Sequence, residues 1–198
     1  MSISAQQVKE LRDRSGVGMM DCKKALIEAN GDLDKAFEVL RKNGIAKAQK
    51  KSGRDAKEGS IVSYIHPGAK LGVLLELNCE TDFVANTDDF KDLANDICMH
   101  IAATSPLSVR TKDVDSTIID KEKEIYMDQA KKSGKPDAII EKMVEGRLKK
   151  FFQENVLLEQ NFVKDPSKTI TDLITDKVSV LGENIVINSF SRFQVGEK

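Results

Sequence analysis

The chain has 198 residues, 40% of them hydrophobic and 32% charged, with 31 lysines and arginines against 32 acids. That length suits one domain and a fraction, or two small modules. A net charge of −1 at pH 7 excludes binding to nucleic acid through a broad positive field, although a local basic patch stays compatible with it. Cys22, Cys79 and Cys98 are an odd number without metal-like spacing and read as reduced thiols of an intracellular protein. Residues 1–10 carry no apolar core of signal-peptide length, and no stretch approaches the ~20 apolar residues of a membrane span. A soluble, cytoplasmic protein is expected.

Ser4 and Gln7 form a capping box, followed by the short apolar stripe of Val8 and Leu11. Ser15-Gly16-Val17-Gly18 interrupts that stripe. A second helix carries Cys22, Ala25, Leu26 and Ala29 and stops at Asn30-Gly31. A third places Leu33, Ala36, Phe37 and Leu40 on one face and is predicted to stop at Asn43-Gly44. Three short helices in residues 1–45 make a minimal bundle whose core is marginal alone, so support from a partner is expected. Met19 and Met20 lie at the Gly-rich turn, where they either fill that core or offer an adaptable contact surface. Residues 46–58 read as a linker rich in Lys47, Lys50, Lys51, Arg54 and Lys57. It serves as a solvated tether or as a contact for acidic protein surface or RNA.

Residues 59–198 read as an α+β core domain. Ile61 to Ile65 and Leu71 to Asn78 are predicted strands of a hairpin turning through His66-Pro67-Gly68-Ala69-Lys70. Leu71, Val73, Leu75 and Leu77 alternate onto a face expected to lie under the next helix, whose stripe is Phe90, Leu93, Ala94, Ile97 and Ile101. Asp88 and Asp89 suit that helix's first turn, where the dipole favours acids. Between strand and helix stands Thr81-Asp82-Phe83-Val84-Ala85-Asn86-Thr87, with an acid beside a large ring in a turn. Phe83 either folds inward as a staple or projects as a wedge for another protein.

Further on, Asp115 to Lys132 and Pro136 to Phe152 form two long helices around Ser133-Gly134-Lys135-Pro136. They make a projecting antiparallel hairpin over residues 115–153, or a plain layer on the sheet. Asp165-Pro166 is predicted to open a short helix through Leu173 and Ile174, and Ile185 to Val195 alternates as a third strand of the sheet.

Enzymatic chemistry finds little footing. His66 falls in a turn, and Cys98 and His100 sit two apart on one helix, where their side chains diverge too far to share a metal. Cys79 ends a buried strand, which favours inert packing over a thiol nucleophile. The sequence carries no phosphate-binding loop and no dinucleotide fingerprint. No active site, metal or cofactor is expected.

Several stretches, in order, resemble the elongation factor Ts family. They are Met19-Met20-Asp21-Cys22-Lys23-Lys24-Ala25-Leu26 with Asn30-Gly31-Asp32, then Thr81-Asp82-Phe83-Val84-Ala85. Ser133-Gly134-Lys135-Pro136 with Glu141-Lys142-Met143-Val144-Glu145-Gly146-Arg147, and Arg192-Phe193-Gln194-Val195-Gly196-Glu197, complete the set. The resemblance implies a ubiquitin-associated-type module over residues 1–45 and a coiled-coil arm at the helical hairpin. It also implies a guanine-nucleotide exchange factor that opens the GTPase elongation factor Tu without covalent chemistry, and it favours the wedge reading of Phe83. Asp82 and Phe83 would press near the GTPase's magnesium site, Thr81 and Val84 would flank them, and Val8, Leu11, Met19 and Met20 would dock the module. One departure is length. Longer relatives carry two strand-strand-helix halves, whereas here the pattern occurs once, over Ile61 to Ala103, with Met99-His100-Ile101-Ala102-Ala103 resembling the second half. The short members of the family pair as homodimers, so a homodimer is expected. Neither nucleic acid nor membrane is an expected partner. An interaction adaptor for ubiquitin-like or ribosomal partners, and an enzyme using Cys79, are the competing classes.

Overall fold

A computed structural model describes residues 3–132 and 136–197. The helices α1 (Ala5–Ser15), α2 (Met19–Glu28) and α3 (Leu33–Lys51) come first. Strands β1 (Glu58–Ile65) and β2 (Leu71–Cys79), the single turn α4 (Asp82–Ala85) and helix α5 (Asp88–Thr104) follow. Next come α6 (Ser116–Lys131), α7 (Asp137–Asn155), β3 (Asn161–Phe162), β4 (Asp165–Thr169), α8 (Ile170–Leu181) and β5 (Val186–Gln194). The class is α+β, with a small antiparallel sheet of order β1-β2-β5. No helix among the described residues is long and apolar enough to cross a membrane.

Two compact units partition the chain. The first comprises Met1–Ile61, Glu76–Ala94 and Asp172–Val186. Its helical start follows from local chemistry. The Ser4 hydroxyl accepts the Gln7 N–H at 3.2 Å while Gln7 Oε1 accepts the Ser4 N–H at 3.0 Å, so the predicted capping box is complete. At the end of α2 the Gly31 N–H reaches Leu26 O at 2.8 Å and the Asn30 N–H reaches Ile27 O at 3.1 Å. Asn30 and Gly31 both take positive φ there, which is the left-handed exit expected of Asn-Gly. Val8, Leu11, Cys22, Ala25, Leu26, Ala36 and Leu40 close a core, against which Val180 of α8 also packs.

The third helix departs from expectation. It does not stop at Asn43-Gly44 but runs to Lys51, so half of the basic stretch is helical. Gly44 is buried, and a Cβ there would meet Ser179 Oγ at 3.0 Å and Ser179 Cβ at 3.3 Å. Gly44 is therefore the point where α8 approaches α3, and the lost helix propensity (~1 kcal/mol against Ala) accompanies that close approach. Lys51 Nζ donates to Gly182 O just past the end of α8.

The second unit comprises Val62–Leu75, Asn95–Thr171 and Ile187–Lys198. The β1–β2 turn closes with the His66 N–H on Leu71 O at 2.9 Å, and Gly68 and Ala69 take positive φ. Val73 and Leu75 of β2 and Ile97 and Ile101 of α5 are buried, as their alternation and stripe predict, and Cys98 is buried beside them. Helices α6 and α7 share a thin seam of Ala130, Ile140, Val144 and Leu148, flanked by Ile119, Tyr126, Met127, Met143 and Phe152. Asp115 caps α6 through the Thr117 N–H at 2.9 Å, and Pro136 stands at the cap position of α7. Ser133, Gly134 and Lys135, predicted as the turn of this hairpin, lie outside the described residues.

The stretch after Asp165 is a second correction. Residues Asp165–Thr169 form β4, antiparallel to β3 with Asn161 opposite Thr169 and Phe162 opposite Asp165, and the helix begins only at Ile170. Asp165-Pro166 looks like a helix start locally, but pairing with β3 outweighs that signal.

Candidate partner-binding site

The turn after β2 is a helix of four residues, Asp82–Ala85, with Thr81 extended at its N-cap. Four residues cannot repay the nucleation of an isolated helix, so its neighbours must hold it. On the inner side Val84 and Ala85 are buried. On the outer side Asp82 is exposed, and Phe83 keeps 82% of its surface accessible. The wedge and staple readings differ on this point, and Phe83 is no staple in the isolated chain. The exit is fixed by Thr87, whose hydroxyl donates to Val84 O at 2.7 Å and accepts the Phe90 N–H at 3.3 Å. Thr87 thus closes α4 and caps α5, whose Asp88 and Asp89 fall in the first turn.

The entrance is fixed from the far end of the sequence. Glu183 Oε2 accepts the N–H groups of Glu80 (3.1 Å) and Thr81 (3.0 Å), and Glu183 Oε1 accepts the Thr81 hydroxyl at 2.7 Å. In return Glu80 Oε1 accepts the Asn184 N–H at 2.7 Å, and the Asn184 amide donates to Arg54 O at 2.8 Å. The Asn184 N–H is the main cause that holds the Glu80 carboxyl below its ordinary range, with the Arg54 guanidinium beside it assisting. Beneath the turn the Cys79 thiol donates to Thr81 O at 3.0 Å. Burial, and then the Glu183 charge, push that thiol up. A raised, buried thiol is a poor nucleophile, which agrees with the packing role read for Cys79. Sequence reasoning missed Glu183, Asn184 and Glu80, because no local pattern links residues about a hundred positions apart.

The other expected contact residues divide. Val8 and Leu11 lie in the core of the first unit, whereas Met19 and Met20 open α2 and are exposed, Met20 with 67% of its surface. Both methionines therefore stand at the surface rather than filling the core. In the second unit His100 is buried, with Val163 donating its N–H to Nδ1 at 3.3 Å and Gln160 Oε1 at 2.9 Å from Nε2. No cluster of ligating side chains fit to hold a metal exists among the described residues.

The α+β chain thus presents an exposed aromatic ring on a single turn braced from both ends. Comparison with known proteins gives the family. The family described as Elongation factor TS matches residues 32–197. The elongation factor Ts of Fervidobacterium nodosum is 60% identical over 197 residues, covering 100% of both chains. That of Thermosipho melanesiensis is 58% identical over 195 residues, covering 98% of this chain and 100% of the relative. That of Carboxydothermus hydrogenoformans is 58% identical over 195 residues, covering 98% of this chain and 90% of the relative. The chain belongs to the elongation factor Ts family, and with it to the translation elongation factors.

Proposed function

We propose that this chain is a guanine-nucleotide exchange factor, without covalent chemistry, that binds the GTPase elongation factor Tu in the cytoplasm. In this reading Asp82 and Phe83 enter the GTPase beside its magnesium and phosphate site and loosen bound GDP so that GTP can replace it. The observation that carries the reading is the exposure of Phe83 on a turn whose other face is anchored by Val84 and Ala85. A free Phe ring in water is unfavourable, and its burial in a complex is worth ~2–3 kcal/mol. Met19 and Met20 make the second contact from the amino-terminal module of residues 1–45, with Val8 and Leu11 forming the core behind them.

The test is release of fluorescent GDP from elongation factor Tu, followed with and without the protein across a magnesium titration. Exchange is reciprocal: whatever weakens nucleotide binding when the factor binds, nucleotide and its ion must weaken factor binding equally. Raised magnesium should therefore suppress release, and chelator should shrink the advantage of the intact protein over an Asp82→Ala, Phe83→Ala double variant. An undiminished advantage in chelator would place the wedge's action at another part of the nucleotide pocket. Release no faster with the protein than without it would leave the adaptor reading.

The partner set includes a second copy of the chain. The single strand-strand-helix copy leaves a groove of about 470 Å³ lined by Ile65, Leu71, Leu74, Phe193 and Val195. Ile65, Leu74, Phe193 and Val195 are exposed, and an apolar sheet face of this kind is suited to closed twofold pairing. Light scattering at micromolar concentration should give twice the monomer mass.

A further inference from the structure

We infer that Glu183 is the positioning residue of the exchange site, setting the direction in which Asp82 and Phe83 project. The inference rests on the reading of Phe83 given above. Thr81 occupies the N-cap of α4, yet its side chain makes no capping bond to the turn that follows. Its hydroxyl is turned backward as a donor to Glu183 Oε1 at 2.7 Å, and its N–H is held by Oε2 of the same carboxylate at 3.0 Å. With the Glu80 N–H at 3.1 Å, three donors from two consecutive residues converge on one carboxylate. Bonds of this kind to an ionised acceptor are the strong ones.

Two features make this a device for aiming and not only a surface contact. The carboxylate grips the N–H groups of two successive peptides, Cys79–Glu80 and Glu80–Thr81, and the Thr81 hydroxyl, so it fixes the orientation of the chain that enters α4. The grip is also mutual. Glu80 holds the Asn184 N–H at 2.7 Å, and Asn184 reaches Arg54 O at 2.8 Å, so Glu183 is itself braced. Val84 and Ala85 anchor the turn from below. Apolar burial resists removal of the turn but resists its rotation weakly, because hydrophobic contact is non-directional. The hydrogen bonds of Glu183 supply the missing direction.

The experiment is a double-mutant cycle on GDP release from elongation factor Tu, with E183A, F83A and the double variant, each also melted thermally. E183A should slow stimulated release about 10- to 100-fold, that is, by up to most of the loss expected on removing the ring itself. In the F83A background the same change should cost no further exchange, because its effect passes through the ring. An equal loss in both backgrounds would make Glu183 a general stability residue and overturn the inference. So would normal exchange by E183A alongside impaired exchange by F83A. Normal exchange by F83A would instead sink the reading of Phe83 itself, and the inference with it. Should E183A not fold, E183Q keeps the shape and one accepting oxygen, and an intermediate loss of exchange is expected. The chain contains no tryptophan, so F83W supplies a single reporter. E183Q should lower the fluorescence anisotropy of that reporter while the chain still melts in a single cooperative transition. Unchanged anisotropy would show that the carboxylate does not aim the turn.

Discussion

Phe83 and Phe90 lie seven residues apart on either side of Thr87, and they meet opposite fates. Phe90 is fully buried in the first turn of α5, while Phe83 stays 82% exposed on α4. The difference is one of phase. Thr87 ends one helix and starts the next, and each helix turns its own apolar residues inward: Val84 and Ala85 in the first, Phe90, Leu93 and Ala94 in the second. Phe83 precedes Val84 by one residue and Ala85 by two on a turn of ~3.6 residues, so it points about 100° from the first and about 160° from the second. One ring serves the fold, and the other stays in solvent.

Mutating the two rings separates those roles. Phe90→Ala should destabilise the chain by about 3–5 kcal/mol through lost burial and the cavity left behind, read as a lower denaturant midpoint at unchanged slope. Phe83→Ala should leave stability within ~0.5 kcal/mol. Its exchange activity should fall about 30- to 150-fold, the rate equivalent of ~2–3 kcal/mol at ~1.4 kcal/mol per tenfold. A melting temperature that drops while exchange stays normal would reverse the assignment and make Phe83 part of the core.

The contrast between interior and exposed groups extends to pH through His100. Its Nδ1 accepts the Val163 N–H, which assigns the proton to Nε2, donating to Gln160, and so a neutral ring. Burial is the main cause lowering its pKa below 6.5, with the Gln160 bond opposing. The folded value thus lies below the unfolded one. The stability conferred by a neutral His100 is fully present above about pH 6.5 and is lost as pH falls through the folded value. Thermal melts from pH 7.5 to 5 should show a steeper acid loss for the intact protein than for His100→Gln, and parallel curves would exclude His100 as the source.

The smallest effect is expected beside the exposed ring. Asp82→Ala should lower exchange by no more than about fivefold, because an exposed charge contributes ~0–1 kcal/mol after solvent screening. Measuring release for Asp82→Ala and Phe83→Ala together, at low and high salt, ranks the two. A larger loss for the acid than for the ring would recast the wedge as an electrostatic device.

Helix and strand identity were largely legible in the chain because they depend on neighbours a few residues away. The capping box at Ser4 and Gln7, the Asn30-Gly31 exit, the stripe of α5 and the alternation of β2 all carry their cause within one or two turns. The motif Thr81-Asp82-Phe83-Val84 was legible as a stretch of interest, but the exposure of its ring was not. That outcome goes with the phase set at Thr87 and with a turn whose entrance is bonded to Glu183, a carboxylate 102 residues away from Thr81. Gly44 shows the same limit from the other side. In sequence it reads as a helix stop, yet Ser179 approaching within 3.0 Å of where its Cβ would stand accounts for glycine inside a continuing helix. Asp165-Pro166 likewise offers a helix start to local reading, and becomes β4 because Asn161 and Phe162 supply a strand to pair with. In each case the local chain allows two outcomes of similar free energy, and a contact distant in sequence selects between them.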